Sequence, residues 1–320
     1  MKYFIGVDVG GTNVAIGIVN ENNEIVIKTS FPTNAPTTAE KLVDEIAKTS
    51  KDLCNKIGVL LKDVAWIGIA APGNLNPIEG TVARMHNLGI EFAPLTKLVE
   101  DKLSIKCYIE NDANAAAYGE FIAGGAKGAN SAICVTIGTG VGGGIIINGK
   151  IYSGFNFCGA EMGHIVMVYD GIECNCGRKG CMEKYCSATA LIEQTKQSML
   201  DNPESLMWKE SANIEDVNGR TAFNAMKNGD TAAKDVVYKF ISYLACGCTT
   251  FINIFQPDVL LIGGGISKEG EVLLKPLREI INKEMFNHDA PDEKKTKILP
   301  AVLGNDAGII GAAMLGNLYI

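Results

Sequence analysis

The chain has 320 residues, which at about 150 residues per domain predicts two domains. Hydrophobic residues make up 47% and charged residues 20%, with a mean hydropathy of +0.13, which excludes a disordered or fibrous protein. The 29 basic and 36 acidic side chains give a net charge of -7, which argues against a nucleic-acid partner. The acidic residue Asp8 comes too early in the sequence for the apolar core of a signal peptide to precede it. No uninterrupted apolar stretch comes near the length of about 18 residues that a membrane-spanning helix needs. We therefore expect a cytoplasmic protein without a membrane partner.

The hydrophobic pattern predicts strands that alternate with helices along the chain. Strands are predicted over residues 3–9, 14–19, 25–27, 65–71, 105–109, 132–137, 141–147, 150–152 and 259–262. Helices are predicted over residues 38–54, 114–124, 188–199, 231–255, 270–285 and 304–318. Such alternation is typical of an α/β fold.

The first hairpin of the chain has a second copy further along. Val7-Asp8-Val9-Gly10 matches Val135-Thr136-Ile137-Gly138, and in both copies a strand, a glycine-rich turn and a second strand follow one another. The second copy continues into Asn148-Gly149, a strong signal for a tight hairpin turn. An internal duplication predicts two similar α/β domains that face each other across a cleft. The alternative is that two glycine-rich hairpins match by chance.

The two turns, Gly10-Gly11-Thr12 and Gly138-Thr139-Gly140, have the composition of phosphate-binding loops. Backbone N–H groups can point at an oxyanion only where no Cβ blocks the approach. The alternative is a pair of ordinary hairpin turns. A dinucleotide-binding fingerprint is rejected because a strand and not a helix follows Gly143, and a P-loop is rejected because Ile151 stands where Ser or Thr is required.

One group among the ten cysteines has the spacing of metal ligands. Cys174, Cys176 and Cys181 lie in a glycine-rich loop, and His164 precedes them. Three thiolates and one imidazole complete a tetrahedral zinc site with no position left for a substrate water, so the site is predicted to be structural. The other seven cysteines, at 54, 107, 134, 158, 186, 246 and 248, are interpreted as core thiols.

Acidic residues follow the strand predicted over residues 105–109. A carboxylate at this position, such as Asp112, could accept the proton of a substrate hydroxyl that attacks phosphorus. The alternative is that Asp112 caps the next helix. Glu161, His164 and Glu183 flank the cysteine loop, and their side chains suit a polyhydroxylated ligand.

Seven motifs together resemble the ROK (repressor, open reading frame, kinase) family of sugar kinases and regulators, most closely its Gram-positive-type glucokinases. The resemblance spans nearly the whole chain and depends on Asp8-Val-Gly-Gly-Thr12, Ala71-Pro72-Gly73, Glu110-Asn-Asp-Ala-Asn114, Gly138-Thr-Gly-Val-Gly-Gly-Gly144, Gly159-Ala-Glu-Met-Gly-His164, Cys174-Asn-Cys-Gly-Arg-Lys-Gly-Cys-Met-Glu183 and Ile262-Gly-Gly-Gly265. It implies an actin-like (ribonuclease H-like) duplicated two-domain ATPase fold with a cleft between the domains. The implied activity is transfer of the γ-phosphate of ATP to the 6-hydroxyl of a hexose.

The resemblance also assigns roles to individual residues. Asp112 is the implied general base. The implied substrate ligands are Gly73, Asn87, Asn111, Asp112, Glu161, His164 and Glu183. The implied nucleotide contacts are Gly10, Gly11, Thr12, Thr139, Gly140 and Gly264, with Mg²⁺ as a further cofactor, and the implied zinc ligands are His164, Cys174, Cys176 and Cys181. Asn13 departs from the family pattern, which often has Lys here, so Mg²⁺ and backbone N–H groups must neutralise the γ-phosphate.

We expect a small α/β domain over residues 1–112 plus 304–320 and a large α/β domain over residues 113–303 that carries the zinc loop. Glucose is the favoured hexose, and N-acetylmannosamine, fructose and allose are the alternatives. A sugar-responsive transcriptional regulator is disfavoured because the first strand begins at Tyr3 and leaves no room for a helix-turn-helix. The resemblance further implies a homo-oligomer, a dimer or a tetramer.

Overall fold

A computed structural model describes residues 2–319 of the chain. Its strands are β1 Tyr3–Val9, β2 Asn13–Asn20, β3 Ile25–Pro32, β4 Val64–Ala71, β5 Asn74–Asn76, β6 Thr81–Met85, β7 Ile90–Ala93, β8 Cys107–Asn111, β9 Ala132–Ile137, β10 Val141–Ile147, β11 Lys150–Ile151, β12 Val259–Gly264 and β13 Lys297–Pro300. Its α-helices are α1 Ala39–Lys56, α2 Leu95–Leu103, α3 Asp112–Ala123, α4 Glu183–Cys186, α5 Ala188–Asp201, α6 Met207–Glu210, α7 Thr221–Lys227, α8 Thr231–Phe255, α9 Glu271–Glu284 and α10 Ala307–Met314. The predicted α/β class is confirmed.

The first sheet has five strands in the order β3-β2-β1-β4-β8. β1 pairs antiparallel with β2 and parallel with β4, and β4 pairs parallel with β8. β1 is the central strand, with β2 and β4 on its two edges, and its side chains Ile5, Val7 and Val9, which share one face, are fully buried. The parallel pairing places the carboxyl ends of β1, β4 and β8 at one edge of this sheet.

The second sheet repeats this order as β11-β10-β9-β12-β13. β12 pairs parallel with both β9 and β13, as β4 does with β1 and β8. The predicted hairpin turn joins β10 to β11, where Asn148 and Gly149 both have positive φ, of 50° and 75°. The duplication predicted from the repeated hairpin is therefore confirmed by the strand order that the two sheets share.

Some elements escaped the sequence analysis. A small antiparallel sheet, β5-β6-β7, follows β4 directly, and its strands are only three to five residues long. Helix α8 has the predicted bounds, whereas the short helices α6 and α7 were not predicted. Short elements carry too few periodic positions to give a clear pattern. None of the helices of residues 2–319 combines the length and apolarity needed to cross a membrane.

The chain divides into two compact units whose bounds differ from the predicted domains. The first holds the residues up to Ser131, then Gly144–Ala160, and those from Val302 onward, and the second holds Ala132–Gly143 and Glu161–Ala301. The prediction ended the first domain at residue 112, but α3 stays in the first unit because α3 packs on α10. A Cβ at Gly311 of α10 would lie 1.7 Å from the carbonyl oxygen of Ala115 in α3, so only glycine permits this approach.

Candidate functional site

The first glycine turn, residues 10–12, joins β1 to β2 in the first unit. The N–H of Gly10 donates to the carbonyl oxygen of Asn13 at 3.0 Å and closes the turn. Thr33, which follows β3, donates from its hydroxyl to the Gly10 carbonyl at 2.7 Å and from its N–H to the Thr12 carbonyl at 2.8 Å. Two carbonyl groups of the turn are therefore occupied by one residue.

The second glycine turn, residues 138–140, joins β9 to β10 and is fixed in a similar way. The N–H of Gly138 donates to the Gly140 carbonyl at 2.9 Å. The carbonyl of Gly138 accepts the Ala188 N–H at 2.9 Å, and that of Thr139 accepts the Thr189 hydroxyl at 2.8 Å. Both partners belong to the start of α5.

Both turns keep two N–H groups uncommitted. Across residues 2–319, the N–H groups of Gly11 and Thr12 donate no hydrogen bond, and neither do those of Thr139 and Gly140. Apart from the partly exposed Gly140, these residues lie at the protein surface. Consecutive free N–H groups in a turn whose carbonyls are engaged form an anion-binding concavity, which is the arrangement that a phosphate needs. The geometry therefore favours the phosphate interpretation over that of plain hairpin turns.

Asp112 lies at the carboxyl end of β8, where it begins α3. The cap of α3 is Asn111 and not Asp112, since Oδ1 of Asn111 accepts the N–H groups of Ala113 and Asn114 at 3.0 and 3.2 Å. The alternative in which Asp112 serves as the cap is thus wrong. One Asp112 oxygen accepts the Ala113 N–H at 2.9 Å, and the residue remains partly exposed.

Asp8 and Asp112 form a pair of interacting carboxylates in the first unit. Burial, and after it the like charge of Asp112, raises the pKa of Asp8 from 3.8 to about 6. Burial also raises the pKa of Asp112, although hydrogen bonds from the N–H groups of Ala113 and Asp112 and from the Asn111 side chain oppose it. Sequence reasoning quoted Asp8 within a motif but gave it no role. Only its position two residues before the first glycine turn pointed to it.

The four predicted metal ligands come together in the second unit. The ligand atoms of His164, Cys174, Cys176 and Cys181 all lie within 4.8 Å of one another. Nδ1 of His164 is 3.7 Å from Sγ of Cys174, and the Sγ atoms of Cys176 and Cys181 are 3.6 Å apart. The spacing of the sequence motif is therefore matched by a compact cluster of one imidazole and three thiols.

Two of the seven cysteines assigned to the core are not buried. Cys158 and Cys246 are exposed, whereas Cys54, Cys107, Cys134, Cys186 and Cys248 are buried. Cys246 and Cys248 both lie in α8, where residues two apart are separated by about 200° around the helix axis. Burial of one member of this pair therefore exposes the other.

Glu183 links the metal cluster to the second glycine turn. Its Oε2 accepts the Val141 N–H at 3.1 Å, and a Cβ at Gly140 would lie only 2.1 Å from the same oxygen. Its Oε1 is 4.0 Å from Sγ of Cys174. Glu161 differs because its side chain is exposed at the start of a 3-10 turn that ends at His164. The structure thus brings Glu183 and His164 to the cluster and leaves Glu161 beside it.

A cavity of about 530 Å³ adjoins this turn within the second unit. It is lined by Thr139, Gly140, Ile172, Asn175, Glu183, Lys184, Ser187, Thr189, Ala190, Glu193, Gln194 and Gln197. The lining joins the predicted phosphate turn to one predicted sugar ligand. Gly264, the predicted contact on the nucleoside side, ends β12 with a φ of 85°, and a Cβ there would lie 2.2 Å from the Ile137 carbonyl oxygen.

The remaining predicted ligands of the first unit are Gly73 and Asn87. Gly73 has a φ of 101°, and a Cβ there would lie 2.1 Å from the Arg84 carbonyl oxygen, so a side chain is excluded. Asn87 is exposed in the turn between β6 and β7, and its Cβ lies 4.0 Å from the position of a Cβ at Gly11. Asn87 is thereby placed next to the first glycine turn.

Comparisons with known proteins agree with these features. The ROK family model matches residues 4–317. A glucokinase of Streptomyces coelicolor is 36% identical, over 99% of this chain and 98% of that protein. The crystal structure of a ROK family glucokinase from Streptomyces griseus in complex with glucose and AMPPNP is 35% identical with a TM-score of 0.77, and the match covers 98% of both chains. The predicted actin-like fold is confirmed by this similarity.

The proteins similar to this chain also include repressors. The xylose repressor of Bacillus subtilis is 28% identical, over 98% of this chain and 76% of the repressor. The glucokinases match along nearly their whole length, whereas a quarter of the repressor lies outside the match. The sequence motifs, the duplicated topology and the match of the family model lead to one conclusion: the chain belongs to the ROK family.

Proposed function

We propose that the protein is an ATP-dependent hexose kinase that transfers the γ-phosphoryl group of ATP to the 6-hydroxyl of glucose. The observation that carries the proposal is the position of Asp112. A partly buried carboxylate with a raised pKa lies at the carboxyl end of β8, in the same unit as a turn with free N–H groups. The similarity to glucokinases along the whole chain supports glucose as the acceptor.

Asp112 serves as the general base in this proposal. As the 6-oxygen of the sugar attacks the γ-phosphorus, the carboxylate accepts the hydroxyl proton, and the bond to the β,γ-bridging oxygen breaks to leave ADP. The raised pKa makes Asp112 a stronger base than an ordinary aspartate. The hydrogen bond from the Ala113 N–H at 2.9 Å holds one oxygen of this carboxylate in place.

The resemblance to the family assigns sugar contacts to residues of the first unit and, separately, to residues of the second. Gly73, Asn87 and Asn111 belong to the first unit, and because Oδ1 of Asn111 caps α3, this residue offers only its amide N–H groups to a hydroxyl. Glu161, His164 and Glu183 belong to the second unit. Their carboxylates and imidazole are hydrogen-bond partners of the kind that ring hydroxyls require.

The two glycine turns bind the phosphates of the nucleotide in this proposal, and Gly264 and the cavity beside Thr139 contribute to its site. Asn13 is exposed and uncharged, so the N–H groups of the turns are the protein's own contribution to charge neutralisation at this position. Mg²⁺ fits the carboxylate oxygens of Asp8, since this ion prefers oxygen ligands. When bound, it supplies positive charge to the transferring phosphoryl group.

Zn²⁺ fits the cluster of His164, Cys174, Cys176 and Cys181, because the donor set and its compactness match a closed structural site. The ion stabilises the loop that presents His164 and Glu183. The division of the chain into two functional domains, the dimer or tetramer, the cytoplasmic location and the lack of nucleic-acid and membrane partners stay predictions.

The test is a coupled assay of ADP formation with a panel of glucose, mannose, N-acetylmannosamine, fructose and allose, each ranked by kcat/KM. We expect glucose to have the highest value, since a site that hydrogen-bonds particular hydroxyls discriminates steeply against sugars that lack them. Reactions without sugar provide the control for plain ATP hydrolysis. If another hexose had the highest kcat/KM, that hexose would replace glucose as the proposed substrate. If no hexose were phosphorylated, the proposal would be overturned.

A further inference from the structure

Thr33 holds the first glycine turn although it lies 21 residues beyond Thr12 in the sequence. Its side chain is almost inaccessible, with 4% of the residue exposed. Both of its polar donors are used on the turn, the hydroxyl on the Gly10 carbonyl at 2.7 Å and the N–H on the Thr12 carbonyl at 2.8 Å. No other residue of the chain described here binds both ends of this turn.

The orientation of these carbonyl groups matters for anion binding. A peptide carbonyl that faced a phosphate would repel it, whereas an N–H group attracts it. Each peptide unit holds one carbonyl and the next N–H in a single plane, so fixing the Gly10 carbonyl also fixes the direction of the Gly11 N–H. The Thr33 hydroxyl therefore controls one of the two free N–H groups of the turn.

We propose that Thr33 is a positioning residue for nucleotide binding, which acts by holding the first glycine turn with its N–H groups available to the phosphates. Thr33 touches neither nucleotide nor sugar in this role. The inference rests on the proposed kinase function. It extends that function by assigning a role to a residue outside every motif identified in the sequence.

The second turn supplies an internal comparison. Thr189 binds the Thr139 carbonyl with its hydroxyl at 2.8 Å, but Thr189 is exposed. Water can replace a lost hydroxyl at an exposed position, whereas removal of the hydroxyl of the buried Thr33 leaves the partly buried Gly10 carbonyl without its partner. The loss of a threonine hydroxyl is thus expected to matter more in the first turn than in the second.

The test compares Thr33→Val, which has nearly the same shape and no hydroxyl, with Thr33→Ser, which keeps the hydroxyl. Binding of ADP is measured by calorimetry, together with KM for ATP, KM for glucose and the melting temperature. We expect Thr33→Val to weaken ADP binding and raise KM for ATP about tenfold, with KM for glucose changed by less than about twofold. Thr33→Ser restores nucleotide binding to within about threefold of the wild type.

Thr296→Val is the matched control, because the buried Thr296 hydroxyl donates to the Pro257 carbonyl at 2.7 Å outside both glycine turns. We expect it to lower the melting temperature and to change the same nucleotide measurements by less than about twofold. If Thr33→Val does not fold, Thr33→Ala replaces it under the same criteria. A lower melting temperature with unchanged ADP binding, equal changes in both KM values, or no rescue by Thr33→Ser would overturn the proposal. ADP binding is measured without turnover, so this outcome is distinguishable from a wild-type protein that phosphorylates no hexose.

Discussion

The two five-stranded sheets have the same strand order, but the residues next to their glycine turns differ in charge. In the first sheet Asp8 precedes the turn, and the pKa of this residue is raised partly by a second carboxylate, Asp112. At the matching position of the second sheet stands Thr136, which carries no charge. The duplicated hairpins thus carry similar glycine turns, while a pair of interacting carboxylates lies beside only the first.

The second unit carries features that have no counterpart in the first. His164 and three cysteines form a compact cluster there, and the neighbouring Glu183 accepts the Val141 N–H directly after the second turn. We therefore expect substitution of Asp112 in the first unit to affect mainly the rate of the chemical step, and substitutions in the cysteine cluster of the second unit to affect mainly stability and the binding of sugar.

The largest effect is expected for Asp112→Asn. The amide cannot accept the proton of the sugar hydroxyl, so kcat should fall by about 10²–10⁴-fold, while KM for glucose changes little. Steady-state kinetics with glucose and ATP measure both values. Asp63→Asn, at an exposed position on the same unit, is the matched control and should behave as the wild type. A kcat within threefold of the wild type, about 0.7 kcal/mol in activation free energy, would remove Asp112 from its role.

A smaller effect of a different kind is expected for Cys176→Ser. Loss of one thiolate weakens metal binding, so the melting temperature should fall by roughly 5–10 °C and KM for glucose should rise roughly tenfold. Elemental analysis of the purified protein should show one zinc ion per chain in the wild type and less in the variant. Cys158→Ser is the control, since Cys158 is also exposed but lies outside the cluster. Unchanged metal content in Cys176→Ser would contradict the assignment.

The smallest effect concerns pH. A general base works only when deprotonated, and raised pKa values keep Asp8 and Asp112 protonated at a higher pH than ordinary carboxyl groups. We expect kcat/KM to decrease on acidification, with a loss of about half near pH 6, where Asp8 becomes protonated and no longer offers a carboxylate to Mg²⁺. Protonation of Asp112 adds to this loss, because its raised pKa also brings the base toward protonation as the pH falls. Circular dichroism at each pH separates this loss from unfolding. A profile that stays flat down to pH 5 would show that neither carboxylate limits the reaction.

Features with a local signature in the sequence were predicted well. The duplication, the Asn148-Gly149 turn and the grouping of His164 with three cysteines each depend on a few residues at fixed spacing, and the structure contains all three arrangements. The spacing of Cys174, Cys176 and Cys181 leaves little freedom to the loop that contains them. Local spacing and local geometry therefore agree.

Features that depend on distant contacts could not be predicted. Thr33 binds the first turn through a loop that sequence patterns do not place, and α3 joins the first unit because a distant helix packs on it. Asn111 replaces Asp112 as the helix cap because β8 continues to Asn111 and the helix begins one residue later. A shift of a single residue at a strand end, which periodicity does not resolve, thus decided which side chain caps the helix.

Helix α10 has a consequence for how the protein is made. Its backbone packs so tightly on the first sheet that a Cβ at Gly6 in β1 would lie 1.9 Å from the Ile309 carbonyl oxygen. β1 ends at Val9 and α10 begins at Ala307, so α10 can cover this face only after the residues between them have been synthesised. Until then the apolar face against which α10 packs lacks this cover, and exposed apolar surface promotes aggregation. The first unit therefore cannot finish folding before the second unit has been synthesised.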